Sequence, residues 1–175
     1  MADINIIKFA KTKKDAIIPT KRVEDAGYDI YACFDSDFMY IDPHTTILIP
    51  TGIATAIPDD YVFIVKERGS TGSKGMAVRC GVIDSGYRNE IFVGITNTND
   101  YTIVISKDEN MKIFDLEVEG DSVEAKKVLI YPYKKAIAQL LLLPVPKVET
   151  EEISYDDLLK IESERGLNSL GSTNK

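Results

Sequence analysis

The chain reads as an all-β protein of the jelly-roll or small-barrel kind. Short runs rich in Ile, Val, Tyr and Thr recur along the first 145 residues, with Pro, Gly, Asn and Asp between them. The apolar run 136–143 has helix-compatible composition, but Pro144 and Pro146 follow it and favour a buried strand. A helix start comes only near Ser154. At 175 residues the chain suits one domain with its own core.

In order, strands are expected at 5–9, 28–33 and 46–49. Ile53 to Ile57 alternates, Pro58-Asp59-Asp60 turns the chain, and 61–66 runs on. Further strands are expected at 76–79, 91–96, 102–106, 112–117, 128–131 and 136–143. Ser154 then serves as N-cap for a helix turn with Asp156 and Asp157 in its first turn and Lys160 near its close. Residues 165–173 are rich in Gly and Ser and read as a flexible arm. The expected organisation is one β domain over 1–147, with a charged insertion at about 100–127. A C-terminal segment and arm follow over 148–175.

Composition removes several functions. Net charge is −7, which argues against a broad nucleic-acid face while leaving a single nucleotide open as ligand. No run of about eighteen apolar residues exists to span a membrane. The acidic start Met1-Ala2-Asp3-Ile4 is unlike a secretory leader, and two cysteines make no disulfide framework; a reducing cytoplasm is the expected setting. Cys33 and Cys80 read as small buried hydrophobes, and one histidine, His44, leaves no Cys/His metal site.

Three stretches carry chemistry. Residues 81–90 read as a hairpin whose tip presents Asp84 and Tyr87, with Gly86 free to take a positive φ. A carboxylate beside a flat ring suits a small nucleoside-like ligand, although turn aspartates also cap their own backbone. Residues 67–75, Glu-Arg-Gly-Ser-Thr-Gly-Ser-Lys-Gly, are not a Walker A loop, since Lys74 follows Ser73 and precedes Gly75. They still offer Arg68, hydroxyls and open amides, the ingredients of an oxyanion cradle or of a flexible surface loop. The C-terminal arm offers a similar set around Arg165.

These pieces, in this order, resemble the five motifs of the trimeric dUTP nucleotidohydrolase (dUTPase) family. Ala26-Gly27-Tyr28-Asp29-Ile30-Tyr31-Ala32 is similar to the first, and Arg68-Gly69-Ser70-Thr71-Gly72 to the second. Gly81-Val82-Ile83-Asp84 through Tyr87-Arg88 resembles the third, Ala138-Gln139-Leu140 the fourth, and Arg165-Gly166 with Gly171-Ser172-Thr173 the fifth. The chain departs from the pattern: Glu67 replaces Pro, Gly69-Ser70 replaces Ser-Gly, Ala136 replaces Arg, Leu170 replaces Phe, and Val78 stands where bacterial members often have a polar residue. Which second-motif serine meets phosphate is left open.

The resemblance implies Mg²⁺-dependent hydrolysis of dUTP to dUMP and pyrophosphate, limiting uracil in DNA and supplying dUMP for dTMP synthesis. Asp84 would position or deprotonate the attacking water, and Tyr87 would pack on the deoxyribose. Backbone groups of Gly81, Val82 and Ile83 would pair with the uracil edge. Arg68, Gly69, Ser70 and Gln139 would hold phosphates, and Arg165, Gly171 and Ser172 would bind the γ-phosphate, with Leu170 covering the base. Mg²⁺ would sit mainly on the triphosphate, touched by Asp29 only through water. The resemblance further implies a jelly-roll homotrimer with sites at subunit boundaries, as in phage and bacterial members. Two alternatives are a protein-binding regulator acting through the insertion, and a dCTP deaminase. The latter's catalytic Glu would fall at Gly94.

Overall fold

The computed structural model describes residues 6–111, 128–164, 166 and 167. The chain divides into two compact units, Met1–Val145 and Pro146–Lys175. Among the described residues the first is a β structure of four sheets. A two-stranded sheet pairs β1 (Lys8–Lys11) with β5 (Ile53–Ala56). A four-stranded sheet runs in the order β2 (Gly27–Ile30), β12 (Ala138–Pro144), β6 (Tyr61–Lys66), β8 (Val82–Ile83). A third has β4 (Thr46–Pro50), β9 (Phe92–Asn97) and β7 (Met76–Arg79), and a fourth has β11 (Val128–Pro132), β10 (Thr102–Ser106) and β3 (Phe38–Ile41).

Alternation builds the interior. Ile30, Ile49, Ile53, Phe63, Ile95, Ile103, Ile105 and Leu140 are all fully buried, one face of each strand supplying one wall. Phe9, Tyr28 and Phe63 form a ring cluster with centroids 5.9–6.0 Å apart. Buried polar groups are bonded: Thr51 Oγ1 donates to the Ile91 carbonyl at 2.6 Å, and Asn97 Nδ2 to those of Ile41 and Tyr101.

Several expectations need correction. The strand Phe38–Ile41 was not anticipated, because Asp35-Ser36-Asp37 and Asp42-Pro43 read as turns that leave little between them. The first strand begins at Lys8, β2 ends at Ile30, and β12 begins at Ala138 and runs into Pro144. Residues 81–90 are not a two-stranded hairpin. Val82–Ile83 pairs with β6, while Phe92–Asn97 pairs with β4 and β7 in another sheet. The left-handed residue near this stretch is Cys80, at φ 55°, and Gly86 is not left-handed. Cys33 is buried as expected, but Cys80 is exposed.

The insertion boundary also moves. β10 is the central strand of its sheet, and Ile103, Val104 and Ile105 are completely buried, so the start of 100–127 belongs to the core. β10 and β11 run parallel, with Thr102 opposite Val128. The strand expected at 112–117 lies outside the described residues.

In the second unit, Ser154 caps α2 (Tyr155–Leu158), its Oγ accepting from the Asp157 N–H at 3.1 Å. Neither helix among the described residues exceeds four residues, and no helix is long and apolar enough to cross a membrane.

Candidate active site

The register of the four-stranded sheet gathers three of the motifs. Asp29 on β2 lies opposite Gln139 on β12, and Gln139 lies opposite Lys66 on β6. Side chains alternate along extended backbone, which continues through Arg68 (φ −82°, ψ 154°), so Arg68 joins the face of Asp29 and Gln139. Arg68 Nε donates to Asp29 Oδ1 at 2.7 Å, with each side chain about one-third exposed (32% and 31%). Gln139 Nε2 donates to the Glu67 carbonyl at 2.8 Å and ties the second motif to the fourth.

Glycine makes the approach possible. A Cβ on Gly27 would stand 2.6 Å from Gln139 Oε1, so the first-motif glycine leaves the room that Gln139 occupies.

Residues 67–75 are more ordered than a surface loop. The short helix α1 (Gly69–Gly72) closes there, with Thr71 fully buried. The Arg68 N–H donates to Thr71 Oγ1 at 3.0 Å, and Lys74 Nζ donates to the Ser70 carbonyl at 3.0 Å. Arg68 Nη1 reaches Ser70 Oγ at 3.4 Å. Glu67, at the position where the motif usually has Pro, accepts the Val78 N–H on Oε1 at 2.8 Å and pairs with Lys66 at 3.2 Å. Burial opposes its charge, yet bonds from its own N–H and that of Val78, with Lys66, outweigh burial and hold its carboxyl below the ordinary range.

Asp29, Arg68, Gly69, Ser70 and Gln139 line one polar concavity of about 360 Å³. Arg22 and Asp25, which no motif signalled, line it too. Asp84 and Tyr87 are not among its lining residues within this one chain.

The third motif forms a separate centre. The Tyr87 N–H donates to the Asp84 carbonyl at 3.1 Å, closing a tight turn with the Asp84 carboxylate exposed. Arg88 Nη1 donates to the carbonyls of Ser85 and Tyr87, and the Tyr87 hydroxyl to that of Glu90 at 2.9 Å. Glu90 in turn accepts the Gly52 N–H at 2.7 Å. Arg88 and Glu90 thus hold the turn; the third motif includes Arg88, but the sequence reading assigned it no role and did not single out Glu90.

Val82 and Ile83 form β8, the outer strand of its sheet, so one backbone edge has no strand beside it among the described residues. Such an edge offers the alternating donors and acceptors that a pyrimidine edge requires. The Gly81 carbonyl is already engaged by the Val65 N–H at 2.7 Å. A Cβ on Gly81 would stand 2.8 Å from the Val65 oxygen, which explains the glycine. Arg165, Leu170, Gly171 and Ser172 lie outside the described residues.

No three His, Cys, Asp or Glu side chains gather as metal ligands among the described residues. The carboxylates in the concavity, Asp25 and Asp29, are each paired with an arginine. This donor set suits a cation carried on phosphate oxygens and water better than one caged by protein.

The sequence model of the dUTPase family matches residues 13–111. A deoxyuridine 5′-triphosphate nucleotidohydrolase of Gloeobacter violaceus is 32% identical over 152 residues, covering 85% of this chain and 82% of the relative. One from Leptospira interrogans is 33% identical over 110 residues, 61% of this chain and 74% of the relative. Among solved structures, a mutant dUTPase of Staphylococcus bacteriophage 80alpha with dUpNHpp superposes with a TM-score of 0.72 at 26% identity. It covers 98% of this chain and 100% of that one. A dUTPase mutant from phage phi11 of S. aureus, whose structure shows a structural Mg(II) ion, shares the fold at 22% identity. Its TM-score is 0.63, with 87% of this chain and 99% of that chain covered. Fold, gathered motifs and matches together define a jelly-roll nucleotidohydrolase. The chain belongs to the dUTPase family.

The deaminase alternative finds no support. Gly94 is buried in the central strand of its sheet, and a Cβ there would come within 3.0 Å of the Arg79 carbonyl oxygen.

Proposed function

We infer that this chain hydrolyses dUTP to dUMP and pyrophosphate. The observation that carries the reading is the convergence of Asp29, Arg68, Ser70 and Gln139 on one concavity in a chain of the dUTPase family. Arg68 and the Ser70 hydroxyl supply donors for phosphate oxygens, Arg68 in the fork geometry that matches them. Ser70, bonded to Arg68, is the second-motif serine that meets phosphate.

Asp84 acts as the base. It accepts a proton from a water that attacks the α-phosphorus, and the bond from that phosphorus to the bridging oxygen breaks, releasing pyrophosphate. An exposed carboxylate on a braced turn suits this role because placement contributes more than a raised pKa. Tyr87 packs on the deoxyribose and leaves no space for a 2′-hydroxyl. The free edge of β8 reads the uracil, and an amine or methyl in the wrong place leaves polar groups unpaired at a large cost. Mg²⁺, when bound on the triphosphate, neutralises its charge. Asp29, with Oδ1 held by Arg68, would meet that charge through water.

The Asp84–Tyr87 turn and the Arg68 concavity meet in an assembly of three copies, one copy's turn facing another's concavity. Arg165, Leu170, Gly171 and Ser172 complete the site from the C-terminal arm. The deciding experiment is pyrophosphate release from dUTP against dCTP, dTTP and UTP, with and without Mg²⁺. Release confined to dUTP and dependent on Mg²⁺ is expected. Equal release from UTP would sink the assignment of Tyr87, and none from dUTP would sink the function.

A further inference from the structure

We propose that Arg22 is a phosphate-binding residue of the concavity, held ready by Asp25 and handed to the ligand when phosphate arrives. The proposal rests on reading the concavity as the phosphate site. Arg22 lines the same concavity as Arg68, Ser70 and Gln139, although it lies outside every motif.

Its loop is closed at the base, where the Asp29 N–H donates to the Thr20 carbonyl at 2.9 Å. Lys21 Nζ ties the loop from within, donating to the Asp25 carbonyl at 2.8 Å. Within that frame Arg22 meets Asp25 as a fork, with Nε to Oδ2 and Nη2 to Oδ1 both at 2.9 Å. The Arg22 side chain is 88% exposed, so solvent screens this pair and a better anion can replace the carboxylate. A phosphate group presents the same two-oxygen geometry with more charge.

The charge balance of the concavity points the same way. Arg68 is committed to Asp29 through Nε. Among the described residues Arg22 is the other cation lining the concavity, and it enters from the loop before the first motif. Each of these arginines is matched by an aspartate, Arg22 by Asp25 and Arg68 by Asp29. A polyphosphate chain would exchange the Arg22–Asp25 pair for an Arg22–phosphate pair.

Calorimetric titration of the full chain with pyrophosphate, paired with pyrophosphate inhibition of dUTP turnover, tests the idea. Arg22→Gln should weaken pyrophosphate binding about tenfold and raise KM for dUTP with a smaller change in kcat, and Arg22→Lys should recover part of the loss. Asp25→Asn removes the competing carboxylate and should tighten pyrophosphate binding. A purely structural clasp would give the opposite result, with Asp25→Asn as damaging as Arg22→Gln. Pyrophosphate affinity unchanged in Arg22→Gln, or absent in the parent, overturns the proposal. If pyrophosphate binds through Arg22 but dUTP is not cleaved, the site assignment stands and the functional reading falls.

Discussion

Asp84 shows how much a single position is asked to do. It sits on a turn closed by its own carbonyl and braced by Arg88 and Glu90, with its carboxylate open to solvent. Asp84→Asn keeps the size and the turn but removes the proton acceptor. It should lower kcat for dUTP by about a hundredfold or more, the usual worth of a positioned base, with KM changed little. Pyrophosphate release under saturating dUTP checks this, and a variant turning over near the parental rate would move the base elsewhere. Gly27 and Gly81 illustrate the other kind of constraint. Each is glycine because another group, Gln139 or the Val65 carbonyl, occupies the space a Cβ would take.

At the scale of elements, Glu67, just past the end of β6, links that strand to β7 by accepting the Val78 N–H. Its carboxyl is held below its ordinary value of 4.5 in the folded chain, so its contribution is complete above that value. That contribution disappears as pH falls through the lower, folded pKa. Glu67→Gln should therefore reduce the melting temperature at pH 7, and the gap between parent and variant should narrow below about pH 4.5. Thermal unfolding across pH 3–8 is the measurement; a gap that widens on acidification would contradict the assigned bond.

The β10–β11 pair sets a second element-level expectation. Residues 100–127 cannot be removed as one block, because Ile103 and Ile105 fill the core. Replacing only 109–126 with a Gly-Ser linker of about a dozen residues, enough for a parallel crossover, should leave a folded protein. Removing 100–127 should give insoluble chain, since burying such side chains is worth roughly 1.5–3 kcal/mol each. Soluble, cooperatively unfolding product from the longer deletion would show that β10 is dispensable.

Across the whole molecule the two centres, concavity and turn, are the main consequence. If three copies share sites, Asp84→Asn and Arg68→Ala chains are each inactive but complement one another. Unfolding and refolding an equal mixture should recover roughly a quarter of parental activity, the share of sites drawing an intact turn and an intact arginine from different copies in a closed ring. No recovery in a mixture that reforms oligomers would place both groups of a site on one chain.

Much of this architecture is local and was therefore open to reading from the sequence alone. Alternating apolar residues gave β6, β7 and β10 their observed bounds, because a strand's two faces are written into every second residue. The Ser154 cap and the donor-rich loop at Arg68 were legible for a similar reason, since each depends on residue type at short spacing, whereas Asp29 and Gln139 were marked by the family resemblance. Partners distant in sequence were decided only by tertiary structure. The flanks of 81–90 look like one hairpin but join different sheets, Val82–Ile83 beside β6 and Phe92–Asn97 between β4 and β7. Phe38–Ile41 became a strand only because β10 lies beside it. Arg22 entered the site only because Asp29 pairs with Thr20 and folds that loop toward Arg68. Residue types and spacings act within a few positions of themselves, whereas pairing, register and shared cavities depend on which distant surfaces meet.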